Sequence, residues 1–294
     1  MVAAFAVVGG ALGWFAVPGA SDVLLRRACA RADAWWRDSL QAYRAFKREH
    51  PDVEPSSSAR GVEGAVGIWR DEAFSAGLAG SLTQERLRSL ASAGFKVDGL
   101  AAAGTEESRR LRCSFRARKR DRALCALALA AAAATAAAFV SNAIAAALLG
   151  LCAAAMAVAM VCDARARIIP LEACALVALG GAAFQAAVRG PEGLAAGALF
   201  ALVVTGGCAL ANRLLRVRCP GGAVGRGDVR CMGALSLATG AGAACGFAAC
   251  YALAGLVALG GCAMRRLKLG DGMPMAPFLS AWLACGAAAS VVLA

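Results

Sequence analysis

The second half of this sequence has almost no acid. From Ala123 to Ala294 the carboxylates are Asp163, Glu172, Glu192, Asp228 and Asp271. Acids that persist at the ends of apolar runs call for a chemical role rather than a solvation one. Charge is scarce overall, at 17% of residues against 60% hydrophobic, with a mean hydropathy of +0.63. That excludes an ordinary soluble globule, in which about a quarter of residues are charged. Histidine is nearly missing too: His50 stands alone, and no Cys-x-x-Cys pair occurs. A structural zinc site has little to be built from, and neither a metal nor a cofactor is expected. The 13 cysteines lie mostly inside apolar runs, where a thiol behaves as a small hydrophobe, so no disulfide framework is read from them.

What the sequence does contain is apolar segments separated by arginine. Val2 to Val17 has neither the leading basic residues nor the cleavage site of a signal peptide and reads as a membrane anchor. Further segments follow at about 123–140, 143–162, 172–188, 193–211, 231–243, 245–264 and 275–293, against the ~20 residues that span a bilayer. The segment 231–243 is short, and Gly240, Gly242 and Gly246 mark a tight reversal or a broken helix there. If the segments alternate sides, Arg109 to Arg122, Arg165 and Arg167, Arg213 to Arg230, and Arg265 to Lys268 share one face, with Arg189 alone opposite. The positive-inside rule makes the crowded face cytoplasmic and puts the N-terminus outside. The net charge of +12 is then a topology signal and a surface for anionic lipid, and no nucleic-acid partner is expected.

The expected fold is all-α: a polytopic transmembrane helical bundle of about eight spans with a small helical cytoplasmic insertion. Its parts are an anchor over 1–19, an insertion over 20–122 that ends in the basic juxtamembrane segment, and a transmembrane domain over 123–294. Within the insertion, Ser21 to His50 has apolar residues at helical spacing, and Trp35 and Trp36 read as packing or interfacial residues. Pro51 to Ser58 reads as a linker. A second helix is expected after Ser81, capped by its hydroxyl with Gln84 as the reciprocal partner, and ending at Gly94.

Asp163 and Asp228 both fall at the cytoplasmic boundary in this topology. Two carboxyl groups that approach closely can hydrolyse a peptide bond, one ionised to activate water and the other protonated to polarise the carbonyl. Gly225 and Gly227 remove side chains beside Asp228, so backbone or substrate can come close.

Three blocks in order resemble the bacterial prepilin leader peptidases, membrane aspartic proteases of the Gly-x-Gly-Asp type. Cys162-Asp163-Ala164-Arg165-Ala166-Arg167-Ile168-Ile169-Pro170 is similar to the family's first motif. Gly225-Arg226-Gly227-Asp228-Val229-Arg230 resembles the second, in which lysine more often stands at the place of Arg230. Met273-Pro274-Met275-Ala276-Pro277-Phe278-Leu279 is similar to the Pro-Phe-Gly-Pro block that opens the last span. The resemblance covers about Ala123 to the C-terminus. It implies Asp163 and Asp228 as the catalytic pair, supported by Gly225, Gly227, Arg230 and Pro170, and prepilins or pseudopilins as substrates cut at the cytoplasmic face of the bacterial inner membrane.

Leu171 departs from the family's Asn or Asp, and Met275-Ala276 replaces Phe-Gly. The four-cysteine zinc motif of many full-length members is missing, so methyl transfer is not expected. Arg165 and Arg167 read first as topology charges, Asp271 as a turn residue, Glu172 as a first-turn helix acid, and Pro170, Pro274 and Pro277 as helix boundaries. The residues themselves leave open a small proton-coupled transporter, which also uses membrane acids, and an inactive scaffold with the same fold.

Overall fold

The computed structural model describes residues 1–78, 80–215, 224–265 and 273–293. Among these residues the regular elements are helices, beside one isolated bridge between Leu82 and Ala102. In chain order they are α1 (Val2–Ala11), α2 (Val17–Glu49), α3 (Gly61–Leu78), α4 (Gln84–Ala91), α5 (Glu106–Arg112), α6 (Lys119–Phe139), α7 (Ala143–Ala166), α8 (Leu171–Leu214), α9 (Arg226–Thr239), α10 (Ala243–Ala263) and α11 (Ala276–Val292). Among the described residues, 5 helical stretches are long and apolar enough to cross a membrane: Val2–Glu49, Lys119–Phe139, Ala143–Ala166, Leu171–Leu214 and Arg226–Ala263; Ala276–Val292 is apolar but shorter. Leu179, Leu202 and Leu259 stand exposed on them, as contact with lipid requires. The fold is helical, with apolar helices of membrane-spanning length.

The chain forms two compact units. One comprises Met1–Leu25, Phe115–Cys208 and Gly225–Ala294; the other comprises Arg26–Ser114 and Ala209–Val224. In the first unit, Pro18 cannot donate to the carbonyl one turn back. A wide π turn over Leu12–Ala16, in which the Val17 N–H reaches the Leu12 carbonyl, absorbs that loss. Glycines let α1 lie directly on α6: a Cβ on Gly9 would stand 2.6 Å from the Leu129 carbonyl oxygen, and one on Gly13 would strike the Cys125 main chain. At the head of α7, the Asn142 side chain accepts from the Ile144 and Ala145 N–H groups at 2.9 and 3.3 Å.

Two of the long stretches double back. Gly190, at φ 64° and ψ −148°, breaks α8 just before Pro191. Gly181 on one limb and Gly197 on the other then both press on α9, at Ala238 and Leu237. Gly240, at φ 51°, opens a tight turn through Gly242 that joins α9 to α10. Across that turn the Tyr251 hydroxyl reaches the Met232 sulfur at 3.4 Å, so the reversal expected from the glycines is present. Gln185, fully buried, ties α8 to α9 and α11 by donating to the Ala238 carbonyl at 2.9 Å and the Ser290 hydroxyl at 3.1 Å. A satisfied polar group in an apolar interior specifies one register, because any other arrangement would strand it.

The second unit has its own core. Trp36, Leu40 and Tyr43 of α2 meet Val66 and Trp69 of α3 with Leu82, Leu90 and Phe95. Trp36 and Trp69 pack edge to face with centroids 5.2 Å apart, whereas Trp35 is exposed; the tryptophan expected to pack is thus one of the two. Helix α3 was not anticipated, for its glycines blur the apolar period. The cap of α4 also differs from expectation. Thr83 accepts from the Arg86 N–H, while the Ser81 hydroxyl turns to the Ala76 carbonyl. Arg109, read from sequence as the first residue of the juxtamembrane basic cluster, is instead paired with Asp33 and Glu106. Cys29 and Cys113 form a disulfide across this unit, contrary to the expectation of no disulfide. Both lie outside the apolar runs.

Candidate active site

Helix α7 carries Asp163 one turn before its end, and Asp163 is 5% exposed. The helix extends to Ala166, so this acid sits within the last helical turn and not beyond it. Arg167 follows in the left-handed region, at φ 56°, and lets the chain turn toward Pro170, which is buried just before α8. Asp228 lies in the first turn of α9, half-buried.

The main chain of α11 fixes Asp163. A helix start leaves N–H groups without intrahelical partners. Here Pro277 has none to offer, and Phe278 and Leu279 donate to the Met275 carbonyl. The buried Ala276 N–H donates at 2.9 Å to Oδ2 of Asp163, across 113 residues of sequence. Leaving that N–H unpaired would cost about 1–3 kcal/mol. The Asp163 contact thus serves the fold and the carboxylate orientation together.

Asp163 and Asp228 interact electrostatically, so the first unit brings the two acids to the same end of the bundle. Cys174, Cys208, Cys231, Cys250 and Tyr251 lie within electrostatic reach of Asp228. Cys231, one turn further along α9, places its sulfur 3.8 Å from that of Met156 on α7.

The two glycines differ in what surrounds them. A Cβ on Gly225 would stand 2.9 Å from Oδ2 of Asp228, inside contact distance. A Cβ on Gly227 would meet Ile169 at 3.5 Å, an ordinary contact, so this glycine borders the first block of sequence. Arg230 is exposed on α9, its charge felt at Cys174. Arg165 lies 5.9 Å over the Phe115 ring. Asp271, Arg216, Arg218, Arg266 and Lys268 fall outside the described residues.

Three blocks far apart in sequence are therefore joined, Ala276 to Asp163 and Gly227 to Ile169, with Asp228 within electrostatic reach of Asp163. The Ala276 donor was not read from the sequence, although Pro277 in a helix's first turn signals that the neighbouring N–H needs an acceptor elsewhere. Comparison with protein-family models, curated proteins and solved structures gave no match.

Proposed function

We propose that the chain is a membrane aspartic endopeptidase that removes the leader of type IV prepilins or pseudopilins at the cytoplasmic face of the bacterial inner membrane. The observation that supports it is the contact of three separated sequence blocks, with Ala276 at the start of α11 bonded to Asp163 and Gly227, beside Asp228, bordering Ile169. One carboxylate takes a proton from water as the water oxygen attacks the scissile carbonyl carbon. The other carboxyl gives its proton to the carbonyl oxygen, and collapse of the tetrahedral intermediate releases the amine with a proton. Asp228 at the start of α9 is partly exposed and both acids lie at helix ends, whereas transporters place theirs nearer the midplane, so the peptidase reading is favoured over proton-coupled transport.

In this reading the reversals in α8 and at Gly240 give about eight crossings, with the N-terminus outside and the insertion in the cytoplasm beside anionic lipid. Disulfides are rare in a reducing cytoplasm, so this placement carries the expectation that Cys29 and Cys113 are thiols in growing cells. Methyl transfer is not part of the proposal.

The test is to co-express a cognate prepilin with the wild type, Asp163→Asn or Asp228→Asn and to follow the substrate's size. Asparagine at 163 keeps an oxygen for the Ala276 N–H, so a loss reports chemistry rather than folding. Processing by the wild type alone is expected. Processing that survives either substitution, or none by the wild type, overturns the reading.

A further inference from the structure

Among the described residues, a cavity of about 340 Å³ in the second unit, the buried network around Gln185 and a groove beside α7 stand apart from the candidate acids. In the first cavity the acids Glu54 and Asp71 already pair with Lys47 and Arg70. The glutamine's bonds are all internal. The groove differs, because one end of it, at Met160 and Ser280, lies one turn from Asp163.

Helices α6 and α11 both pack on α7 and leave a furrow between them of about 330 Å³. It runs along α7 from Leu149 to Met160 and along α11 from Ser280 to Val291, about three helical turns. Small side chains floor and edge it, among them Ala132, Ala153, Ala157, Ala284 and Ala288. Its two hydroxyls are already spent on their own helices, Thr135 on the Ala131 carbonyl at 2.8 Å and Ser280 on the Ala276 carbonyl at 3.0 Å. The furrow therefore offers shape and apolar surface and no polar anchor. At one end, Ser280 touches the Met160 sulfur at 3.0 Å. Met160 lies one turn before Asp163, and Ser280 one turn after Ala276, which bonds Asp163. Met156, further along the floor, touches Cys231, one turn from Asp228.

We infer that this groove seats the apolar helix of the substrate, so that the peptide bond at the end of that helix emerges at Asp163 and Asp228. The inference rests on the peptidase reading above and adds to it the face by which substrate enters. Continuity decides the occupant. A furrow of helical length that ends one turn from Asp163 aligns a helix with the reaction, and small residues let helix backbones approach closely. A lipid chain would fill the volume without any need for that alignment.

The experiment uses the full chain in lipid vesicles with a prepilin whose apolar helix is intact. Ala284→Phe and Ala288→Phe fill the groove at exposed positions that a larger side chain can occupy without disturbing the core. Leu256→Phe, on the exposed face of α10, is the control. Both groove variants should raise KM about tenfold and leave kcat within about twofold, the mark of lost ground-state binding. A photo-cross-linking residue at position 284 in the Asp163→Asn protein should capture the prepilin's apolar helix. Unchanged KM, a fall in kcat alone, an equal effect of the control, or capture only of lipid or of a second copy of this chain overturns the inference. If the wild type cleaves no prepilin, it is the peptidase reading that fails.

Discussion

Removing the link between Cys29 and Cys113 gives the most quantitative test of the second unit. The two cysteines are 84 residues apart, and the cross-link closes nearly the whole of that unit's main segment into a loop. Loop-closure entropy for a loop of that length is worth about 4.5 kcal/mol at 25 °C in the unfolded ensemble. The native contacts of Trp36, Trp69, Leu90 and Phe95 are not touched by the change. Opening of the unit should therefore become more frequent by about three orders of magnitude, at one decade per 1.4 kcal/mol. Hydrogen exchange on the full chain in detergent reads this segment by segment, with the Cys29→Ser/Cys113→Ser protein set against the oxidised wild type. Amides of α3 and α4 should exchange much faster, and those of α7 should keep their rates. Identical exchange in α3 and α4 would refute the reasoning, and so would quantitative alkylation of both thiols in protein purified under oxidising conditions. The same alkylation in intact cells reads the compartment, because a reducing cytoplasm keeps such a pair as thiols.

The two glycines of the second block should separate cleanly. Gly225→Ala displaces the Asp228 carboxylate and should cut prepilin processing by about tenfold to a hundredfold with little loss of stability, a range set by misplacement of a reacting group; Gly227→Ala, facing open contact with Ile169, should cost far less, and equal losses would argue against the placement of Asp228. Gln185→Leu strands the Ala238 carbonyl and the Ser290 hydroxyl and should lower stability by about 1–3 kcal/mol, read as an earlier thermal transition in detergent; an unchanged transition would mean that water or another donor serves those groups.

The three blocks explain how so much of the candidate site could be read before the fold was known. Each acid lies beside a local feature that a sequence reveals: the end of an apolar run for Asp163, paired glycines for Asp228. Their shared face was an expectation drawn from topology and their pairing as a catalytic dyad one that the resemblance implies, and no local pattern contains either. The structure adds a main-chain donor, the Ala276 N–H, that ties Asp163 to the start of α11, and a main-chain donor has no letter in the sequence. Helix α3 and the Thr83 cap went unread for a related reason. Ser81 and Thr83 are both competent caps, and the choice between them rests on where α3 ends and on the Ala76 carbonyl that Ser81 takes instead.

By itself the sequence determined the helical, membrane-spanning character, the positions of the breaks near Gly190 and Gly240, and the scarcity that makes Asp163 and Asp228 conspicuous. These properties are sums over neighbours along the chain: hydropathy, helical period, and the backbone freedom of glycine. Only tertiary packing decided that Ala276 donates to Asp163, that Gly227 borders Ile169, that Cys29 pairs with Cys113, and that Trp36 is buried while Trp35 is not. Those outcomes depend on which surfaces meet, and contact between residues a hundred positions apart is set by the packing of whole helices rather than by the residues beside them.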